Sequence, residues 1–142
     1  DFDTLLWLNA GAKPVEVVAI SIYTDTDTAK AKQFYDATFT AIGGKPGMQD
    51  DKGRLIYMHN GSMFIVTPPI NGEPATHGNG CTIGFAMTPE QANAWHQAGI
   101  DNGGTAIEDP PGVREGNGMK LYLAYLRDPD GNKLCALHRV TD

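Results

Sequence analysis

Few side chains in this chain are spaced for chemistry. The four histidines are His59, His77, His96 and His138. None makes a short ligand pair such as H-x-H or H-x-x-x-H, so each reads as a hydrogen-bonded surface imidazole. His96 follows Trp95 on an expected helix and reads as a surface or rim residue. Cys81 and Cys135 lie too far apart in sequence to make a disulfide framework. A thiol at Cys135 could act as a nucleophile or as a soft ligand contact. Activation needs a base, and the sequence sets none beside it. The plainer reading, a small buried apolar side chain, is favoured. Arg114 sits in a Pro- and Gly-containing stretch, where it either reaches an anionic group or is solvated. No dinucleotide fingerprint, phosphate loop, nucleophile elbow or Cys-x-x-Cys occurs.

The elements that must position these residues are bounded by composition. The 142 residues carry a net charge of −6, with 41% hydrophobic and 20% charged residues. That is an ordinary globular balance, large enough to fold without a metal or disulfide. The acidic balance argues against a nucleic-acid surface, which needs clustered Lys and Arg. No apolar run of about eighteen residues is present, so no membrane span is expected. No charged stretch precedes an apolar one in the manner of a signal peptide, so a cytoplasmic setting is expected.

Residues 1–14 carry Phe2, Leu5, Leu6, Trp7 and Leu8. They read as an N-terminal arm, the alternative being a short docking helix against another subunit. The pattern then predicts a strand over 15–24, with Ile20, Ile22 and Thr24 on one face and Ala19, Ser21 and Tyr23 on the other. Asp25, Thr26 and Asp27 offer caps for a helix over about 28–41, stopped by Gly43-Gly44. A short strand follows over 45–48, then strands over 54–59 and 62–67 joined at Asn60-Gly61, a hairpin signal. Residues 68–80 are rich in Pro, Gly and Asn and read as a linker.

The order then recurs. Residues 81–87 form a strand. Thr88, Pro89 and Gln91 carry the signature of a helix start with a capping box, and the helix runs to Gly103-Gly104. A short strand over 105–108 and a loop over 109–118 precede a closing hairpin. Its strands, 121–126 and 134–140, flank Asp128-Pro129-Asp130-Gly131-Asn132. Setting Gly61 on Gly131 and Ile20 on Ile83 aligns the halves. The expectation is an α+β fold: two βαβββ modules, 15–67 and 81–142, in one structural domain. Their sheets curve into a cup with the helices outside.

Three stretches resemble a known family. They are Tyr125-Leu126-Arg127-Asp128-Pro129-Asp130-Gly131-Asn132-Lys133-Leu134, Ala31-Lys32-Gln33-Phe34-Tyr35-Asp36, and the linker from Gly72 to Gly80. They are similar to the vicinal oxygen chelate superfamily of glyoxalases, extradiol dioxygenases, fosfomycin-resistance enzymes and bleomycin-binding proteins. The resemblance covers about residues 15–140. It implies, in metal-using members, four His or Glu ligands from the first and last strand of each module. Those positions here are Ala19, Ile65, Thr82 and Cys135, and a mononuclear site wants three or four good ligands. The usual divalent ion is therefore expected to be absent, and no cofactor is expected.

Ser21, Tyr23, Thr82 and Tyr125 are expected to point into the cup, with Ile65, Cys135 and, at its mouth, Arg114. Together they would make an apolar pocket with a few hydroxyls. The resulting expectation is a glyoxalase/bleomycin-resistance-like homodimer that sequesters a small organic molecule. The alternatives are a metal-dependent lyase or isomerase of the glyoxalase type, and an interaction module whose cup is filled by its own side chains.

Overall fold

The computed structural model describes residues 17–25 and 27–141. The N-terminal arm, the first two residues of the expected first strand and the capping candidate Thr26 lie outside the described residues. The first module runs β1 (Ala19–Tyr23), α1 (Ala29–Ala41), β2 (Met48–Gln49), β3 (Leu55–His59) and β4 (Ser62–Thr67). The second runs β5 (Ile83–Ala86), α2 (Pro89–Asp101), β6 (Thr105–Ala106), β7 (Gly112–Gly116), β8 (Met119–Arg127) and β9 (Lys133–Arg139).

The sheets repeat one topology. The first has strand order β1-β4-β3-β2 and the second β5-β9-β8-β6, with β7 also on β8. In each, the first strand runs parallel to the last and the remaining pairs are antiparallel. Ile20 pairs with Phe64 and Ile83 with Leu134, so the internal alignment read from the sequence is also the register of the structure. Both sheets are open and curved.

Part of the expected loop in the second module is strand. Residues 109–118 are not all loop: Gly112–Gly116 form β7, which turns at Asn117-Gly118 into β8. Asn117 and Gly118 have φ of 50° and 75°, the left-handed pair that a two-residue hairpin turn requires. β6 and β7 lie end to end along the edge of β8 that corresponds to the β2 edge of β3. The second module therefore has four strands after its helix rather than three.

Local chemistry explains the boundaries. The Asn60-Gly61 hairpin forms, with φ of 47° and 83°. Thr88 accepts a hydrogen bond from the Gln91 N–H at 3.2 Å, and the Gln91 side chain accepts from the Thr88 N–H at 2.9 Å, completing the capping box. At α1, Asp27 Oδ1 accepts from the Ala29 N–H at 3.0 Å. In the closing hairpin Asp128 accepts from the backbone of Asp130 and Asn132 at 3.0 and 2.9 Å, and Gly131 takes φ of 92°.

The helices pack on one another and on one face of each sheet. Strand alternation sends Ile22, Leu55, Tyr57, Phe64 and Val66 of the first sheet into this core, with Ala124, Leu126, Leu134 and Ala136 of the second. Aromatic rings carry the core across the modules: Phe85 lies 5.3 Å from Phe39 and 5.4 Å from Phe64, both edge-to-face. Tyr35 and Trp95 are fully buried. Tyr35, on α1, donates to Asp128 Oδ2 in the second module's turn at 2.6 Å. His96, expected at the surface, is buried instead and bonds to the Tyr125 backbone. Desolvation holds its imidazole below the ordinary histidine range.

Candidate functional site

The faces turned away from the helices are the ones expected to line the cup. The positions expected to line it divide into two groups, one on each sheet. On the first sheet Ser21 pairs directly with Ile65 and Tyr23 with Thr67, and Ile65 pairs on its other side with Ile56. Residues directly opposite one another share a face, so Ser21, Tyr23 and Ile65 stand together beside Ala19, Met58 and Met63. This face is open: Met58 is 56% exposed, Met63 37% and Tyr23 45%.

On the second sheet Tyr125 pairs with Cys135, which pairs in turn with Gly84. Thr82 precedes β5 on the same alternation and is exposed. Arg114, expected in a loop, is half-buried on β7 opposite Leu121. Its Nη2 donates to the carbonyls of Asp109 and Pro110 at 3.1 and 2.8 Å. Cys135 is 4% exposed and donates to the Ala136 carbonyl at 3.4 Å. Burial raises its thiol pKa against a hydrogen bond to Tyr125, which opposes thiolate formation. Burial likewise raises the Tyr125 phenol, reinforced by the nearby Cys135 and Glu108, while the Arg114 charge pulls it down.

Sequence reasoning missed Lys133 and Glu108. Lys133 bonds Glu108 at 2.5 Å, and its ammonium lies 4.9 Å from the centre of the Tyr125 ring. Lys133 adjoined the turn motif, but its partner depends on Glu108 taking φ of 59°, which no local signal marks.

An apolar groove of about 720 Å³ runs along the first sheet to the edge of the second. Ile20, Ile56, Met58, Met63 and Phe64 line it from the first sheet, Phe39 and Ile42 from the end of α1, and Gly84 and Phe85 from β5, whereas Ser21, Tyr23, Ile65, Thr82, Arg114, Tyr125 and Cys135 do not line it. The positions that the family pattern assigns to metal ligands hold Ala19, Ile65, Thr82 and Cys135. Among the described residues no three His, Cys, Asp or Glu converge as a metal site would need. This donor set does not fit a divalent ion. Among the described residues no helix is long and apolar enough to cross a membrane.

Comparison with solved structures gives the lineage. A glyoxalase/bleomycin resistance protein from Albidiferax ferrireducens T118 is 53% identical, with a TM-score of 0.80 over 85% of this chain and 97% of that one. The chain belongs to the glyoxalase/bleomycin resistance family of the vicinal oxygen chelate superfamily. Two further glyoxalase/bleomycin resistance/dioxygenase structures share its fold at 18% identity. One, from Burkholderia phytofirmans PsJN, has a TM-score of 0.67 over 89% of this chain and all of that one. The other, from Alicyclobacillus acidocaldarius, has 0.62 over 92% and 96%. No family model and no curated protein matches the chain.

Proposed function

We propose that this family member binds a small, largely apolar organic molecule in its hollow without the divalent ion that metal-using relatives employ. The observation that carries the reading is the groove of about 720 Å³, whose walls are chiefly apolar, with Ile20, Phe39, Ile56, Met58, Met63, Phe64 and Phe85, and which holds a single histidine, His59. Pockets of this size and polarity suit drug-sized molecules when a few polar groups fix orientation. Outside the groove, on the sheet faces turned away from the helices, Ser21, Tyr23, Thr82 and Tyr125 would add hydroxyls, Ile65 and Cys135 apolar and soft contacts, and Arg114 a charge. We further propose a cytoplasmic homodimer. Val17, Val18 and Met48 leave an apolar surface that a second copy would cover.

The test is a thermal-shift screen of the whole chain with planar aromatic compounds and α-keto compounds, alongside elemental analysis of protein purified without chelator. Stabilisation by planar aromatics that weakens in Met58→Glu, on metal-free protein, supports the proposal. Stabilisation by no compound class would favour an interaction module. Stoichiometric Zn, Ni, Fe or Mn would favour the metal-dependent lyase.

A further inference from the structure

Arg114 is set up for more than solvation. The residue before it on the same face is Gly112, and a Cβ there would stand 3.2 Å from Arg114 Nη1. The missing side chain lets the guanidinium fold back along the strand. The Asp109 and Pro110 carbonyls then hold Nη2. Gly112 pairs with Leu123, Leu123 with Leu137, and Tyr125 with Cys135, so the held cation borders the face of the second sheet turned away from the helices. Its charge acts on the Tyr125 phenol. Lys133 is matched by Glu108, but Arg114 has no carboxylate partner among the described residues. A half-buried cation bonded only to neutral carbonyls retains donors on Nη1 and Nε.

We infer that Arg114, held over Gly112 beside Tyr125, binds the carboxylate of an amphiphilic ligand whose apolar body lies on Leu123 and Leu137. The inference rests on the proposed ligand binding and adds to it a carboxylate contact on the second sheet, outside the apolar groove. A guanidinium whose orientation is already fixed loses little freedom on donating two parallel hydrogen bonds to a carboxylate. The Tyr125 hydroxyl, kept protonated by its surroundings, is a further donor for the same group. Glu108 is the one acid whose charge acts on both Tyr125 and Cys135, and Lys133 ties it away from the anion.

Matched probes test this. 2-Naphthoate and 2-naphthamide are titrated into the whole chain at fixed ionic strength, with Arg114→Gln, Arg114→Lys and Gly112→Ala beside the wild type. The wild type is expected to prefer the carboxylate by about tenfold, the effect of a charge-assisted pair. Arg114→Gln should erase that preference. Arg114→Lys should restore part of it, and Gly112→Ala should reduce it by displacing the guanidinium. Equal affinities in the wild type, or a preference that survives Arg114→Gln, would overturn the carboxylate assignment while leaving the apolar site standing. If neither probe binds, the ligand-site reading falls and this inference falls with it.

Discussion

The two modules share a register and differ in what they place on it. Ile56 and Ile65 pair in the first sheet where Tyr125 and Cys135 pair in the second, and Met58–Met63 stands where Arg127–Lys133 does. The first hollow face is apolar and open, whereas the second is polar and partly closed, with Leu123 8% exposed and Cys135 4%. A duplicated frame fixes where side chains point but not what they are. One half can therefore offer apolar area while the other offers orientation and charge.

The most forceful way to break this contrast is to place one charge on each face. Leu123→Asp should lower unfolding free energy by about 3 kcal/mol, because it buries an unpaired carboxylate. Met58→Asp should change it by less than about 0.5 kcal/mol, as at most exposed sites. Urea denaturation of both variants measures the difference. Equal effects would mean that the first face is covered in solution rather than open.

The joint between the modules gives a smaller effect with a pH signature. Tyr35→Phe removes the donor to Asp128 and should cost about 1–2 kcal/mol near neutral pH. Burial, opposed by hydrogen bonds from Tyr35 and Asn132, leaves the Asp128 carboxyl raised above its ordinary value. A raised acid makes the folded state bind more protons, so its penalty is present above the folded pKa and relieved as pH falls through it. The Tyr35→Phe deficit should therefore shrink in acid.

The first module holds the opposite case. Burial works to raise Asp36, but bonds from Lys32 at 2.5 Å, the Gly47 N–H at 2.9 Å and Tyr57 at 2.8 Å prevail and lower it. Its stabilisation is present above the unfolded value and lost as pH falls through the lowered folded value. Asp36→Asn should therefore cost most near neutrality and least in acid. Denaturation midpoints measured across pH check both carboxyls.

The cysteines give the smallest perturbation. Cys81 is exposed and Cys135 buried with a raised thiol, so iodoacetamide should label Cys81 faster by at least about tenfold. Peptide mapping over time reads the order. Labelling of Cys135 first would mean that the second face opens more readily than the first.

Signals that act within a few residues were legible in the sequence. Asn60-Gly61, the Thr88–Gln91 box and the turn around Gly131 each set backbone geometry locally, and each forms. The strand β7 was not, since Pro110, Pro111, Gly112 and Gly116 read as breakers and its central residues, Val113, Arg114 and Glu115, include no apolar repeat. Asn117-Gly118 marked its turn, but an edge strand earns its place by pairing with β8, which no local pattern reveals. His96 was misread for a similar reason, since its burial depends on the Tyr125 backbone, 29 residues away. The pairing of Ser21 with Ile65 and of Tyr125 with Cys135 on shared faces followed from strand alternation. The hold on Arg114 did not, because it depends on two carbonyls and an absent side chain converging.

The central claim is an apolar binding site that works without an ion. Titration of 2-naphthoate into the whole chain before and after exhaustive EDTA dialysis tests it most directly. The account predicts the same affinity in both titrations. Loss of binding after EDTA, restored by stoichiometric Zn, Ni, Fe or Mn, would contradict it.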